Sequence, residues 1–559
     1  MARRSAIPLR AIDLYCGAGG LTEGFRNAGY EVGFALDWDP DSCETYKKNH
    51  PATYVANAPI TDYTPKQIEM LAGGPVDVVL GGPSCQSFST AGRRTRWVGE
   101  GDARNDLWEH MFEIVRYLKP KAFLMENVPG LLYFKSGSFG EKILRRFSEE
   151  GYTVRKEILL AADWGVPQRR RRLFLVGIRG TTGFKFPEPT HLGGWRRDSL
   201  ELWEQKRQER GLLEHLTVWD AIGDLPRLDA SQGPTNKYAL KANEATSIAL
   251  TLRKGSRSLR DHEVSAMSPE TRRLIRYVPA GGTWRDIPPH QLPERYWGMR
   301  RTDSTNLLGR LDASLPAYTI TTQYNNVTTG CFTHPIEDRS LSVREGARIQ
   351  TFRDTYEFIG SLHSRCRQIG NAVPPLLAQV LAHAIAVQIG DQQAAEVHPA
   401  PLPPVRGAWV NHPGTADQVT QARKRREARQ DTLASRLVQA ELITSKIPFT
   451  VTGKGYSVPR EGDILIENSK IVAMVNSCFW NGCADHTKET KSRTKWWALK
   501  IIENQKRDAQ TKAYWERKGW DVAVFWEHEH PDDVVRHLQE LVDAKSQAEG
   551  GGSVTLAAN

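Results

Sequence analysis

Asp13-Leu14-Tyr15-Cys16-Gly17-Ala18-Gly19-Gly20 closes the apolar run Ala11–Tyr15 and opens a helical pattern. Glycines here let the backbone approach a ligand closely, with the N-terminus of a helix facing it. Asp37 ends the next apolar run, Val32–Leu36, twenty residues after Gly17, where a carboxylate reaches ribose hydroxyls. On these residues alone the turn reads equally as a nucleotide site or as a structural turn. Its spacing departs from the G-x-G-x-x-G of a nicotinamide site. Outward from it, further strand-like runs are Val76–Leu80, Ala122–Met125, Thr153–Leu160 and Leu173–Ile178, with helical patterns at Leu107–Leu118 and Glu141–Glu150. This alternation predicts an α/β fold, a sheet wrapped by helices, with its ligands at the strand ends.

Those strand ends carry reactive residue types. Gly81-Gly82-Pro83-Ser84-Cys85-Gln86 presents a cysteine on a glycine-rich polar loop, unlike a core cysteine, although a small buried filler is the competing reading. Glu126-Asn127-Val128-Pro129 ends the next run. A carboxylate so close behind Met125 is expected to be partly desolvated and able to carry a proton near neutral pH. Gln168-Arg169-Arg170-Arg171-Arg172 enters another run, so alternate arginines share a face.

Taken together and in order, these motifs resemble the cytosine-5 DNA methyltransferase family. Arg310-Leu311-Asp312 with Pro316-Ala317-Tyr318-Thr319, and Gln368-Ile369-Gly370-Asn371-Ala372-Val373-Pro374, extend the resemblance over about residues 8–390. It implies a Rossmann-like class I methyltransferase domain with an inserted, irregular target-recognition domain. It also implies a reaction. The Cys85 thiolate adds to carbon 6 of cytosine, Glu126 binds or protonates the ring at N3, and carbon 5 takes the methyl of S-adenosylmethionine. Arg170 and Arg172 hold the base or lower the thiol pKa, and the base is flipped out of the duplex. By the same resemblance the cofactor contacts Tyr15, Gly17, Gly19, Asp37, Trp38, Pro83, Leu107 and Asn371. Asn57 stands where members usually carry an acidic residue near the adenine, and Ser84 where many have a second proline. In the insert, Arg253, Arg257, Arg260, Arg272, Arg273, Arg300 and Arg301, with Trp284 and Trp297, suit phosphate and base contacts. Any single arginine among them reads more readily as a solvated surface charge.

Residues 1–183 and 331–395 are thus expected to form the catalytic domain and 184–330 the target-recognition domain. A proline-rich linker occupies 396–419, followed by a second α/β domain over 420–545 and a disordered tail over 546–559. In that second domain Cys478, Cys483, His486 and His528 have spacing compatible with tetrahedral zinc. With Asp463, Trp497, Lys500, Asn504, Arg507, Asp508 and Trp526, they resemble the very-short-patch-repair mismatch endonucleases over about residues 420–535. That family has a restriction-endonuclease-like fold with structural zinc and nicks DNA at T:G mismatches. Asp463 becomes the candidate magnesium ligand; Phe479, Trp480 and Trp496 read equally as wedges between base pairs or as core residues, Trp496 at least as readily as core. Asn476 and Asn481 stand where the family has histidines, the second of them its usual general base, and asparagine takes no proton from water. A restriction–modification fusion that cleaves unmethylated DNA, and an inactive zinc-stapled DNA-binding tail, remain the alternatives.

The chain's 559 residues exceed one core, and 75 Lys+Arg against 65 Asp+Glu give a net charge of +10. That balance suits double-stranded DNA as partner. A monomer on DNA is expected, in the cytoplasm, with no membrane partner, since no apolar run approaches the ~18 residues a span needs. Seven scattered cysteines read as reduced thiols.

Overall fold

The computed structural model describes residues 8–83, 107–180, 183–193, 200–228, 238, 245–287, 291–293, 296, 306–390, 438–439, 441–442, 445–452, 463–476, 494–526 and 529–550. The chain divides into two compact units. One is built from Met1–Ile287 and Met299–Ala416, the other from Pro288–Gly298 and Asp417–Asn559.

The first unit holds a seven-stranded sheet. Its strands are β1 (Arg10–Leu14), β2 (Glu31–Asp37), β3 (Tyr54–Asn57), β4 (Val78–Gly81), β5 (Ala122–Asn127), β6 (Tyr152–Leu160) and β7 (Arg171–Arg179). They lie in the order β3-β2-β1-β4-β5-β7-β6. β1 to β5 pair in parallel, while β7 runs antiparallel to both β5 and β6. Because β7 is reversed, its first residues share an edge with the last residues of β5: Asn127 pairs with Leu173 and Glu126 with Phe174.

Alternation along the strands sends side chains to two separate cores, and burial on both faces explains why the runs read as almost continuously apolar. Ala11, Val32, Val78, Leu80, Ala122 and Leu124 pack with α1 (Gly20–Asn27) and the helix Pro375–Gln388. Ile12, Leu14, Phe34, Val79, Phe123 and Met125 pack with α3 (Pro65–Leu71), α4 (Leu107–Leu118) and α5 (Ser138–Glu149). α2 (Pro40–Asn49) follows β2, its first turn capped by Asp39, which accepts from the Ser42 amide. The stretch Leu362–Gln388 is long and apolar enough by composition to cross a membrane, contrary to expectation. It is two helices parted at Ala372–Pro374, 78% of its most apolar window is buried, and Tyr30 donates to the Ala382 carbonyl (2.9 Å), as in a core helix pair.

In the second unit, Thr450–Val451, Ile464–Ile466 and Ile471–Asn476 form an antiparallel meander, and Asp521–Trp526 joins Ile471–Asn476 in parallel. The long helix Thr494–Arg517 supplies the crossover that a parallel pair needs. Val438, Ile464, Ile466, Ala473, Val475, Phe525, Val535 and Leu538 form the larger of its cores.

Candidate active site

The turn after β1 is shaped by three residues in left-handed backbone: Tyr15 (φ 62°), Gly17 (φ 51°) and Gly19 (φ 84°). Tyr15 holds this conformation although it carries a side chain, which costs energy that the surroundings must offset. Its hydroxyl donates to the Leu107 carbonyl at the start of α4 (2.6 Å). A Cβ on Gly19 would meet the Tyr356 hydroxyl at 2.8 Å and His50 Nε2 at 3.0 Å, whereas one on Gly17 would meet nothing within 4 Å. Gly17 therefore borders open space, as a backbone that a ligand approaches must.

Asp37, at the end of β2, faces this turn. Its Oδ2 accepts from the Gly17 amide (2.8 Å) and its Oδ1 from the Asp39 amide (2.9 Å). Burial raises its carboxyl from the ordinary range, and those amides oppose the rise. Trp38 beside it is 71% exposed, a free aromatic face. The Asn57 side chain donates to the Asp37 carbonyl (3.3 Å). Tyr15, Gly17, Asp37, Asn57 and Leu107 thus belong to one hydrogen-bonded rim. These residues fit a nucleoside-bearing cofactor, with open backbone, carboxylate and exposed indole on consecutive strand ends.

The second half of the site lies where β5 meets β7. Arg172 Nε stands 3.0 Å from Glu126 Oε1, both side chains about 15% exposed. Glu126 is therefore ion-paired rather than enclosed by apolar neighbours alone. Asn127 donates to the Pro83 carbonyl (3.3 Å), tying the segment that leads to Cys85 to the strand that carries Glu126. Arg170 is buried to 1% exposure. It donates to the carbonyls of Ile320 (3.1 Å) and Asn371 (3.4 Å). Burial lowers its pKa from the ordinary guanidinium value; Arg172 adds to that and Glu126 opposes it. The two arginines expected to act alike thus differ: Arg172 meets the carboxylate, and Arg170 fastens distant backbone.

Gln168 completes that fastening. Its Oε1 accepts from the Ile320 amide (2.9 Å) and its Nε2 donates to Gln350 Oε1 (2.8 Å). Gln350 in turn donates to the Ile369 carbonyl (2.6 Å). Further out, Arg348 donates to both carboxylate oxygens of Asp354 (2.9 and 2.6 Å) and pairs with Asp224, all fully buried. Neither Arg348 nor Gln350 stood out in the sequence: Asp224 lies 124 positions from Arg348 and Gln168 lies 182 from Gln350.

Cys85, Cys478, Cys483, His486, His528, Asn481, Arg300, Arg301 and Trp297 lie outside the described residues. Among the described residues no group of three or more His, Cys, Asp or Glu is placed to hold a metal. Asp463 is fully buried, and its amide donates to the Thr452 hydroxyl (2.9 Å). In the insert, Trp284 is a core residue at 5% exposure, which corrects its expected role on DNA: an enclosed indole is not available to a base. Arg253 lies over the Tyr238 ring (3.9 Å) and pairs with the buried Asp224, so it is spent inside the protein, whereas Arg260 pairs with Glu357 at the surface and keeps 56% of its side chain exposed. Arg257, Arg272 and Arg273 are exposed.

The sheet order and the site at its carboxyl edge define a methyltransferase-like α/β enzyme. A sequence model of the C-5 cytosine-specific DNA methylases matches residues 9–387, and the chain belongs to that family. It is 34% identical over 438 residues to the type II methyltransferase M.AgeI of Thalassovita gelatinovora, a match covering 68% of this chain and all of that one. Similarity to M1.HphI of Haemophilus parahaemolyticus is 32% over 378 residues, 67% of this chain and 86% of that one. The fold is shared with a crystal structure described as a prophage-encoded DNA modification methyltransferase from E. coli (TM-score 0.50, 24% identity, 68% of this chain and 99% of that one). The chain is thus a cytosine-5 DNA methyltransferase, and its family implies S-adenosylmethionine as cofactor.

Proposed function

We propose that the chain methylates carbon 5 of a cytosine flipped from a specific duplex DNA site, through a covalent adduct of Cys85. We further propose that it works in the cytoplasm as the modification arm of a type II restriction–modification system, a role its relatives' names suggest. The observation that carries the chemistry is the Glu126–Arg172 pair at 3.0 Å, on a strand whose Asn127 also grips Pro83, two residues before Cys85. Glu126 binds the ring at N3 while the Cys85 thiolate adds at carbon 6, and Arg172 keeps the carboxylate aimed. Arg170 holds the Ile320 and Asn371 segments in place around that pair. When bound, S-adenosylmethionine supplies the methyl group; Tyr15, Gly17, Gly19, Asp37, Trp38, Asn57, Pro83, Leu107 and Asn371 would hold it. Methyl transfer to duplex DNA tests this reading. Cys85→Ser is expected to lower turnover by about 10⁴-fold or more while cofactor still binds; a serine variant that turns over normally overturns it.

For the second unit the reading we propose is a T:G mismatch-nicking-like domain. What supports it is the motif order together with an antiparallel meander joined through a helix to a parallel fourth strand. Zinc on Cys478, Cys483, His486 and His528, and magnesium at Asp463, belong to the same proposal and rest on sequence spacing. Nicking of T:G duplex, compared with cleavage of matched unmethylated duplex in Mg²⁺, separates this reading from a restriction–modification fusion. Asp463→Ala is expected to remove the nicking. Activity on neither duplex leaves the DNA-binding tail as the reading.

A further inference from the structure

Asp13 is the penultimate residue of β1, two positions before the turn that begins at Tyr15, and has no solvent exposure. Its Oδ2 accepts from the Thr22 hydroxyl (2.7 Å), which in turn lies 2.7 Å from the Tyr46 hydroxyl. Its Oδ1 is buried with no hydrogen-bond partner. A buried carboxylate whose only donors are the neutral hydroxyl and backbone of Thr22, with one oxygen idle, is a poor place for negative charge, because burial without an opposite charge penalises the ion. The titratable groups around it do not help. They are Asp37 from β2, Cys16 of the turn, Tyr46 from α2 and Tyr356, and none is a cation. Arg26, on the helix that carries Thr22, is turned instead to His50 Nδ1 (2.8 Å). In line with this geometry, burial lifts the Asp13 carboxyl to about 7, with the Thr22 bond opposing the rise and Asp37 adding to it.

We infer that Asp13 is a proton-releasing positioning residue for the cofactor: it holds a proton in the free protein and loses it to solvent when the cationic methyl donor occupies the turn that follows it. The step is a simple ionisation, carboxylic acid to carboxylate plus a solvated proton, driven by a new positive charge nearby. The methyl donor carries a sulfonium and its demethylated product does not. The charge that stabilises ionised Asp13 therefore disappears with methyl transfer, the carboxyl takes its proton back, and the grip on the product loosens.

This inference rests on the cofactor reading of the turn, which has its own control: Trp38→Ala must weaken S-adenosylmethionine binding, and unchanged affinity there would remove the site rather than the role of Asp13. The test is titration calorimetry of the full chain with S-adenosylmethionine from pH 6 to 8, in two buffers of different ionisation enthalpy, for wild type and Asp13→Asn. With a free carboxyl near 7 that is ionised in the complex, wild-type affinity should be about tenfold lower at pH 6 than at pH 8. It should come with proton release near pH 7 that the asparagine variant lacks. The ligand's own ammonium titrates identically with both proteins and cancels in the comparison. With S-adenosylhomocysteine the difference between the two proteins should shrink to about twofold or less. Thr22→Val, which removes the hydroxyl donor to Asp13 and keeps the backbone, should move the midpoint of the pH dependence upward, and it decides the matter if the asparagine variant does not fold. Equal proton release from wild type and Asp13→Asn, or a midpoint unmoved by Thr22→Val, overturns the inference.

Discussion

Both units set an acidic residue at a strand end, yet the two are treated differently. Glu126 keeps 14% of its side chain open and has Arg172 beside it, while Asp463 has no exposure at all. Around Glu126, residues from three remote stretches converge: Gln168–Arg172, Ile320 and Asn371 are locked by hydrogen bonds into one frame. A carboxylate becomes chemically useful when a charge partner and an opening toward substrate arrive with it. The first unit supplies both. In the second, Asp463 is enclosed without exposure, and the nicking proposed above rests on motif order.

The sharpest way to break this contrast is to remove what holds the frame. Arg348→Ala takes from the fully buried Asp224 and Asp354 the one guanidinium that pairs with both, leaving Arg253 and Tyr238 as weaker partners, and should lower unfolding free energy by about 3 kcal/mol. Denaturant titration reads this directly, and a loss under about 1 kcal/mol would mean the frame does not depend on that arginine. Next in size, Glu126→Gln keeps shape but not charge. It should cut methyl transfer by about 10²–10³-fold with little change in cofactor affinity; single-turnover assays separate the two. Smallest is the effect of ending the chain at Ala416. The family match stops at residue 387 and M.AgeI is spanned in full by 68% of this chain. Methyl transfer is therefore expected to stay within about twofold on a site-bearing duplex, and a larger loss would tie the second unit to catalysis.

Much of the first unit could be read directly from residue order. Its strands appear as apolar runs because both faces of the sheet are covered, and its reactive residues appear as motifs because they sit at strand ends. β3 was not among the predicted runs: Tyr54–Asn57 is a four-residue edge strand with exposed positions at both ends, too short for periodicity to show. What escaped entirely was long-range pairing. Arg348 with Asp224 spans 124 positions and Gln168 with Gln350 spans 182, so no local pattern marks them. Trp284 was misjudged for a related reason, since an aromatic in an irregular, arginine-rich stretch looks the same in sequence whether it faces DNA or fills a core. Asp13 lay in view within the first motif, but only its burial beside Thr22 reveals the idle oxygen.

The central claim is a covalent bond between Cys85 and a cytosine held against Glu126. Duplex DNA carrying 5-fluorocytosine at the methylated position, incubated with the full chain and S-adenosylmethionine, tests it most directly, because fluorine cannot leave as the proton does. A denaturation-resistant protein–DNA complex is predicted, with the peptide containing Cys85 bearing the modified base. Methyl transfer to ordinary duplex without any such trapped complex on the fluorinated one would contradict it.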